Sequence, residues 1–126
     1  MKEYLSKNSM IKIKQAHEKP EKDDGARILV DRVWPRGLLK GDAAVDLWLK
    51  EIAPSLRLRK WFSHDPRKWT GFREKYFEEL ALRGKEIGKI LRREKGNRTI
   101  TLIYGANEKR FNQAAALKEF LEEKVR

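Results

Sequence analysis

The chain has 126 residues, enough for one packed core and too few for two ordinary domains. It contains no cysteine, which excludes disulfides, thiolate metal sites and a cysteine nucleophile. Thirty Lys and Arg against nineteen Asp and Glu leave a formal charge of +11, while 40% hydrophobic content with four Trp and five Phe argues against disorder.

Dense charge of both signs and only two glutamines, Gln15 and Gln113, give the chain a thermophile-like composition. That explains the abundance of charge but not its imbalance, and an excess this large attracts phosphate-bearing partners. No apolar run approaches the ~20 residues that span a bilayer, so no membrane partner is expected. The first ten residues carry Lys2, Glu3, Lys7 and Asn8 and lack a hydrophobic secretory core, so the expected location is cytoplasmic. The expected organisation is a flexible N-terminus over 1–9 and a single domain over 10–126.

From Met10 to Lys14 apolar and basic side chains alternate, the period of a half-exposed strand at a sheet edge. Residues 16–26 hold Pro20, Asp23, Asp24 and Gly25 and read as a polar loop. Arg27 to Val33 contains Ile28, Leu29 and Val30, a strand buried on both faces that Pro35 and Gly37 terminate. Asp42 is a candidate N-cap for a helix burying Val45, Trp48, Leu49 and Ile52, which Pro54 closes. Ser55 caps a short helix carrying Leu58, Trp61 and Phe62. Asp65 followed by Pro66 starts a longer helix, whose Trp69, Phe72, Tyr76 and Leu80 form an aromatic stripe assigned to the core. Gly84 breaks it, and a shorter helix follows with Ile87, Ile90 and Leu91. Arg98 to Tyr104 is the third strand, Gly105 to Asn107 a tight turn, and residues 108–124 a final helix.

The helical crossover between the second and third strands implies that those strands are parallel. The expected fold class is therefore α/β, a small, mostly parallel sheet of three to four strands flanked by about five helices. Three strands are few for this length, which leaves open a further strand or a dimer.

In an open parallel sheet, ligands bind beyond the carboxyl ends of the strands. Those ends carry Asp31, Arg32, Trp34 and Arg36 after the second strand, and Tyr104, Gly105 and Asn107 after the third. A glycine turn into a helix N-terminus offers unpaired N–H groups, and arginines add bidentate clamps for phosphate or carboxylate. Each residue also has a bland reading. Asp31 either pairs with a neighbouring arginine or serves as a general base. Arg32 and Arg36 are either buried structural arginines or ligand holders, and Tyr104 either packs or donates its hydroxyl. His64 has the right chemistry to shuttle protons near neutral pH. Asp65 beside it is better explained as a helix cap, and His17 lies in a polar loop with no assigned role. Asn112 and Gln113 face either this pocket or water.

Two distant histidines without cysteine make no zinc site. There is no Walker A sequence, no dinucleotide glycine fingerprint, no G-x-S-x-G elbow and no HExxH, so neither cofactor nor metal is expected. Residues 57–75 and 83–98 each hold seven basic against two acidic residues. Helical surfaces there must be polar in any case, so a nucleic-acid face is the alternative rather than the leading reading.

The run Arg27 to Gly37 (RILVDRVWPRG) resembles a signature of the YeaO-like branch of domain-of-unknown-function 488. Similarity continues through Trp48–Lys50, Ala53–Ser55, Leu58, Arg59, Trp61, Phe62, His64–Pro66, Phe72, Tyr76, Glu79 and Leu80. It closes on Thr101–Ala106 and Asn112–Ala114, covering the chain from Met10 to Leu121. The resemblance implies a small α/β domain and no defined activity, substrate or cofactor. It also implies that Asp31, Arg32, Arg36, Arg59, His64, Tyr104 and Asn112 converge at the sheet's carboxyl edge. More distant relatives carry a cysteine near the end of the third strand, where this chain has Tyr104, so thiol chemistry does not transfer. The expected function is binding of a small anionic ligand by Arg32, Arg36, Arg59, Tyr104 and Asn112, with Asp31 and His64 handling protons if a reaction occurs. The alternative is a nucleic-acid or nucleoprotein binding module.

Overall fold

The computed structural model describes residues 10–124; the expectation for residues 1–9 lies outside that range. Four strands, β1 (Met10–Gln15), β2 (Ala26–Leu29), β3 (Leu47–Trp48) and β4 (Thr99–Tyr104), form one sheet in the order β1-β4-β2-β3. Every pairing is parallel, with Met10 opposite Thr99, Ala26 opposite Ile100 and Ile28 opposite Leu47. Five helices surround it: α1 (Lys40–Ala43), α2 (Leu56–Phe62), α3 (Trp69–Ala81), α4 (Gly84–Asn97) and α5 (Gln113–Glu122). This is the expected α/β architecture, with β1 at an edge and the fourth strand present.

Parallel pairing buries both faces of β2, and all four of its residues are buried. On one face Ile28, Ile100 and Leu102 pack with Phe72, Tyr76 and Leu80 of α3, Ile90 of α4 and Leu117 of α5. The aromatic stripe is thus core, although Trp69 is only half-buried. On the other face Leu29 and Ile103 meet Trp34 and Leu38 from the loop after β2, Val45 between α1 and β3, and Trp48 of β3. Arg27, 4% exposed, lies between Asp24 (2.6 Å) and the carbonyls of Ala43 and Ala44. Lys14 reaches the same Asp24 carboxylate at 3.0 Å.

The helix expected from Asp42 through Ile52 does not form. Only one turn, α1, is helical; Leu39 rather than Asp42 is its N-cap, and Ala44 ends it in the left-handed region at φ 49°. The backbone is drawn into the sheet instead: Asp46 N–H donates to the Arg27 carbonyl at 2.8 Å and Leu49 N–H to the Leu29 carbonyl at 2.9 Å. The Asp46 carboxylate accepts the Arg27 N–H at 2.8 Å. Leu49 and Ile52 are still buried, by way of a strand and a 3₁₀ turn over Lys50–Ile52.

Ser55 caps α2 by accepting the Leu58 N–H, and Asp65 caps the turn Pro66–Lys68 that leads into α3. Trp61 is 38% exposed rather than part of the core. The helix buries Leu58 and Phe62, which leaves Trp61 on its flank over Gly71, beneath the Nζ groups of Lys68 and Lys75. The final helix begins at Gln113, not Glu108, because Asn112 is extended (φ −131°, ψ 165°) and acts as its N-cap. The glycine turn after β4 therefore does not open directly into a helix.

Candidate functional site

The two central strands end side by side. Val30 N–H donates to the Ile103 carbonyl at 3.0 Å, so Asp31, which follows Val30, and Gly105, which follows β4, emerge at the same carboxyl edge. The Asp31 carboxylate accepts the Gly105 N–H at 2.8 Å on one oxygen and the Gln113 side-chain amide on the other. A methyl group on residue 105 would lie 2.6 Å from that first oxygen, so glycine is the residue that permits the contact. The Asp31 carbonyl accepts the Trp48 indole N–H at 2.7 Å, which fixes the start of the loop. Burial raises the Asp31 carboxyl above the ordinary aspartate range, against the opposing pull of the Gly105 N–H, the Arg59 guanidinium and the Gln113 amide. Asp31 forms no ion pair among the described residues, so of its two readings the buried pair with an arginine is not what the fold builds.

Above Asp31 opens a hollow of about 900 Å³. Its ionisable rim comes from three segments: Arg32 and Arg36 after β2, Arg59, Lys60 and His64 on and after α2, and Glu108 before α5. Its apolar wall includes Trp34, Phe62 and Phe111, with Val33 and Leu56 at 63% and 60% exposure. None of the four Lys and Arg of the rim enters an ion pair among the described residues. Arg32 is the most anchored, donating to the carbonyls of Ala53 at 3.3 Å and Pro54 at 3.5 Å. Those carbonyls belong to a turn that α3 holds from below. The Tyr76 hydroxyl donates to the Ile52 carbonyl at 2.6 Å, and Glu79 accepts the Ser55 N–H at 2.8 Å and the Ser55 hydroxyl at 2.5 Å.

His64 is exposed and follows α2 on a corner where Ser63 (φ 46°) and His64 (φ 55°) are both left-handed. Such a conformation costs about 1–2 kcal/mol per non-glycine residue, and here it turns the chain sharply between α2 and the Asp65 cap. Its ring lies 6.3 Å from that of Phe62. Asp65 accepts the Arg67 N–H and pairs with the Arg67 guanidinium, so it serves as a cap rather than as a partner of His64.

Of the candidate site residues, Asp31, Arg32, Arg36, Arg59, His64 and Asn112 line this one hollow, and Tyr104 does not. Tyr104 is 2% exposed and packs in the core, where burial raises its phenol, with Glu18 and Glu108 adding to the shift. Asn112 is 3% exposed with its side chain committed: its oxygen accepts the Ala115 N–H and its amide donates to the Glu108 carbonyl, both at 2.9 Å. Gln113, the next residue, is the amide that reaches Asp31. Its sequence signals are its place early in the last helix and its membership of the matching run Asn112–Ala114. Lys60 and Glu108 had none beyond their charge. His17, too, acquires a role: its Nε2 lies 3.1 Å from the Arg36 carbonyl, tying the loop after β1 to the loop after β2.

For metals, the carboxylates of Glu21, Asp23 and Asp24 cluster at the opposite end of β2. Lys14 and Arg27 already neutralise Asp24 there. No helix among the described residues is long and apolar enough to cross a membrane.

A parallel four-stranded sheet flanked by helices places the chain among small α/β proteins, with a polar hollow outside the carboxyl edge of the sheet. More narrowly, the chain belongs to the DUF488-N3i family, described as the inactive DUF488-N3 subclade, whose profile matches residues 10–126. It is similar to the uncharacterised protein YeaO of Escherichia coli (strain K12), at 43% identity over 111 residues, 88% of this chain and 96% of that protein. It is also similar to the uncharacterised proteins Rv3073c of Mycobacterium tuberculosis (strain H37Rv) and Mb3100c of Mycobacterium bovis. Each is 40% identical over 76 residues, 60% of this chain and 64% of theirs. No solved structure matches the chain.

Proposed function

We propose that this protein is a single domain that binds a small phosphate- or carboxylate-bearing ligand at the carboxyl edge of its sheet. The observation that carries this reading is the convergence of Arg32, Arg36, Arg59 and Lys60 on one opening, outside every ion pair of the described residues. Maintaining four like charges around one hollow costs self-repulsion, which a bound anion relieves. Arg32 fixes its guanidinium through two carbonyls and leaves other N–H groups for a ligand; Arg59 sits close enough to Asp31 to feel its charge. The glycine turn contributes less than its sequence suggested, because its N–H is spent on Asp31.

Asp31 and His64 supply the proton chemistry for a reaction: a carboxyl whose proton is held unusually tightly and an exposed imidazole. The family description as an inactive subclade favours holding a ligand over turning it over. The test is thermal denaturation with inorganic phosphate and small carboxylates against chloride at constant ionic strength. Specific stabilisation that Arg59→Gln and Arg36→Gln abolish supports the reading. Equal melting in all salts refutes it.

The nucleic-acid alternative draws on one observation, the half-exposed Trp61 beside Lys68 and Lys75 on a basic helical face. Aromatic rings among cations suit single-stranded nucleic acid. Affinity for generic RNA that falls steeply with salt and with Trp61→Ala favours this reading.

A further inference from the structure

We propose that the anion bound at this hollow is the phosphate of a nucleotide, whose base occupies the aromatic end of the same cavity; the inference rests on the anion-site reading above. Phosphate alone leaves most of the lining unexplained. A single phosphate needs the cations of the rim, yet the hollow is about 900 Å³ and has an apolar wall containing Trp34, Phe62 and Phe111. Its size falls within the range of pockets that enclose whole small molecules, about 300–1,000 Å³.

The two lips, Val33 and Leu56, are among the most exposed large apolar side chains of the described residues. Both line this opening. Exposed apolar lips beside unpaired cations match a ligand that is itself divided into a flat apolar part and an anionic part. A sugar phosphate or an inorganic anion offers no surface for them.

The floor adds the polar contacts a base edge requires. Asp31 and Gln113 lie side by side there, and the amide is oriented by its bond to the carboxylate. Gln113 keeps its carbonyl oxygen and a second N–H beyond that bond, so floor and wall together offer a donor, an acceptor and a stacking surface. Purines and pyrimidines present donors and acceptors on one edge of a flat ring, and few other phosphate-bearing molecules do. The nucleotide is either free or the end of a strand, since both present the same base and phosphate.

The experiment measures binding of adenosine and uridine 5′-monophosphates, ribose 5-phosphate, inorganic phosphate and a short single-stranded oligonucleotide to the whole chain by calorimetry. The expected result is that at least one monophosphate binds roughly tenfold or more tighter than ribose 5-phosphate, the scale of one stacked base. Phe111→Leu and Gln113→Leu are expected to remove that advantage without changing affinity for ribose 5-phosphate, whereas Arg59→Gln weakens all the phosphates together. Phe111 also packs on Trp69, 5.4 Å between ring centroids, so Leu56→Ser on an exposed residue gives the same readout if Phe111→Leu fails to fold. An oligonucleotide that binds more tightly than the monophosphates and loses that affinity in Leu56→Ser identifies a strand end as the source. Equal affinity for ribose 5-phosphate and the monophosphates overturns the nucleotide inference and leaves the anion site standing. No binding by any phosphate overturns both. Oligonucleotide binding that ignores Leu56→Ser and Arg59→Gln overturns it in favour of the basic helical face.

Discussion

The Asp31 carboxylate and the Gly105 backbone N–H meet at 2.8 Å across 74 residues of sequence. That bond joins the ends of the two central strands and sets the floor of the hollow, so its disruption has a definite signature. In Gly105→Ala the new methyl would fall 2.6 Å from the carboxylate oxygen, too close to be accommodated without moving Asp31. The expected cost is about 1–3 kcal/mol in chemical denaturation, the range for overpacking. Displacing the carboxylate from the residue-105 N–H also removes one influence that lowers the Asp31 carboxyl, so its carbon-detected NMR titration is expected to move to higher pH. An unchanged titration with unchanged stability contradicts the contact.

Burial raises the Asp31 carboxyl in the folded chain. The folded state therefore holds this proton to higher pH than the unfolded chain does. The group's contribution is most favourable below the unfolded aspartate value and is lost as pH rises through the folded one. Asp31→Asn has no such loss. Its stability relative to the parent is expected to improve as pH rises through the acid range, then to level off, in urea melts from about pH 3 to pH 8. A relative stability that declines with rising pH contradicts the assignment.

Arg27 and the site arginines are expected to behave in opposite ways. Arg27 and Asp24 are 4% and 1% exposed and paired at 2.6 Å, so Arg27→Met leaves a buried carboxylate short of a partner. Lys14 still reaches it, which places the expected loss near the lower end of about 3–5 kcal/mol. Arg59 is exposed and outside the ion pairs, so Arg59→Gln is expected to change stability by no more than about 0.5 kcal/mol. Paired thermal melts of the two variants check the contrast.

Support from α3 to the rim turn gives a further expectation. Glu79 accepts two hydrogen bonds from Ser55, and the Tyr76 hydroxyl donates to the Ile52 carbonyl. Tyr76→Phe is expected to cost about 0.5–1.5 kcal/mol, and Glu79→Ala about 1–3 kcal/mol because two donors of Ser55 lose their acceptor. Arg32 hangs on the carbonyls of this turn, so hydrogen exchange is expected to accelerate over residues 52–55 in both variants. Unaltered exchange there would separate the turn from α3.

Pattern and punctuation in the sequence were sufficient for most of the frame. Alternation marked β1, an apolar run marked β2, β-branched residues marked β4, and Ser55 and Asp65 marked two helix starts, because these signals are local and the structure uses them locally. Residues 42–52 misled for a physical reason. Val45, Trp48, Leu49 and Ile52 have helical spacing and end half-buried or buried, but a strand and a turn deliver them to the interior. The free edge of β2 decided that segment by offering backbone partners to Asp46 and Leu49. Within the site, the choice between Asn112 and Gln113 was equally invisible, since it depends on which residue stands at the N-cap.

Chemistry and neighbourhood were thus set by the amino-acid order itself: a basic, cysteine-free α/β chain with its ionisable signature just beyond two strand ends. Which of those groups meet was decided by tertiary structure. Parallel register brings Asp31 to Gly105, the left-handed corner at Ser63 and His64 turns α2 toward the rim, and the cap at Asn112 leaves Gln113 free to reach the floor. Sequence spacing carries no information about such contacts, because they join segments that only the sheet makes neighbours.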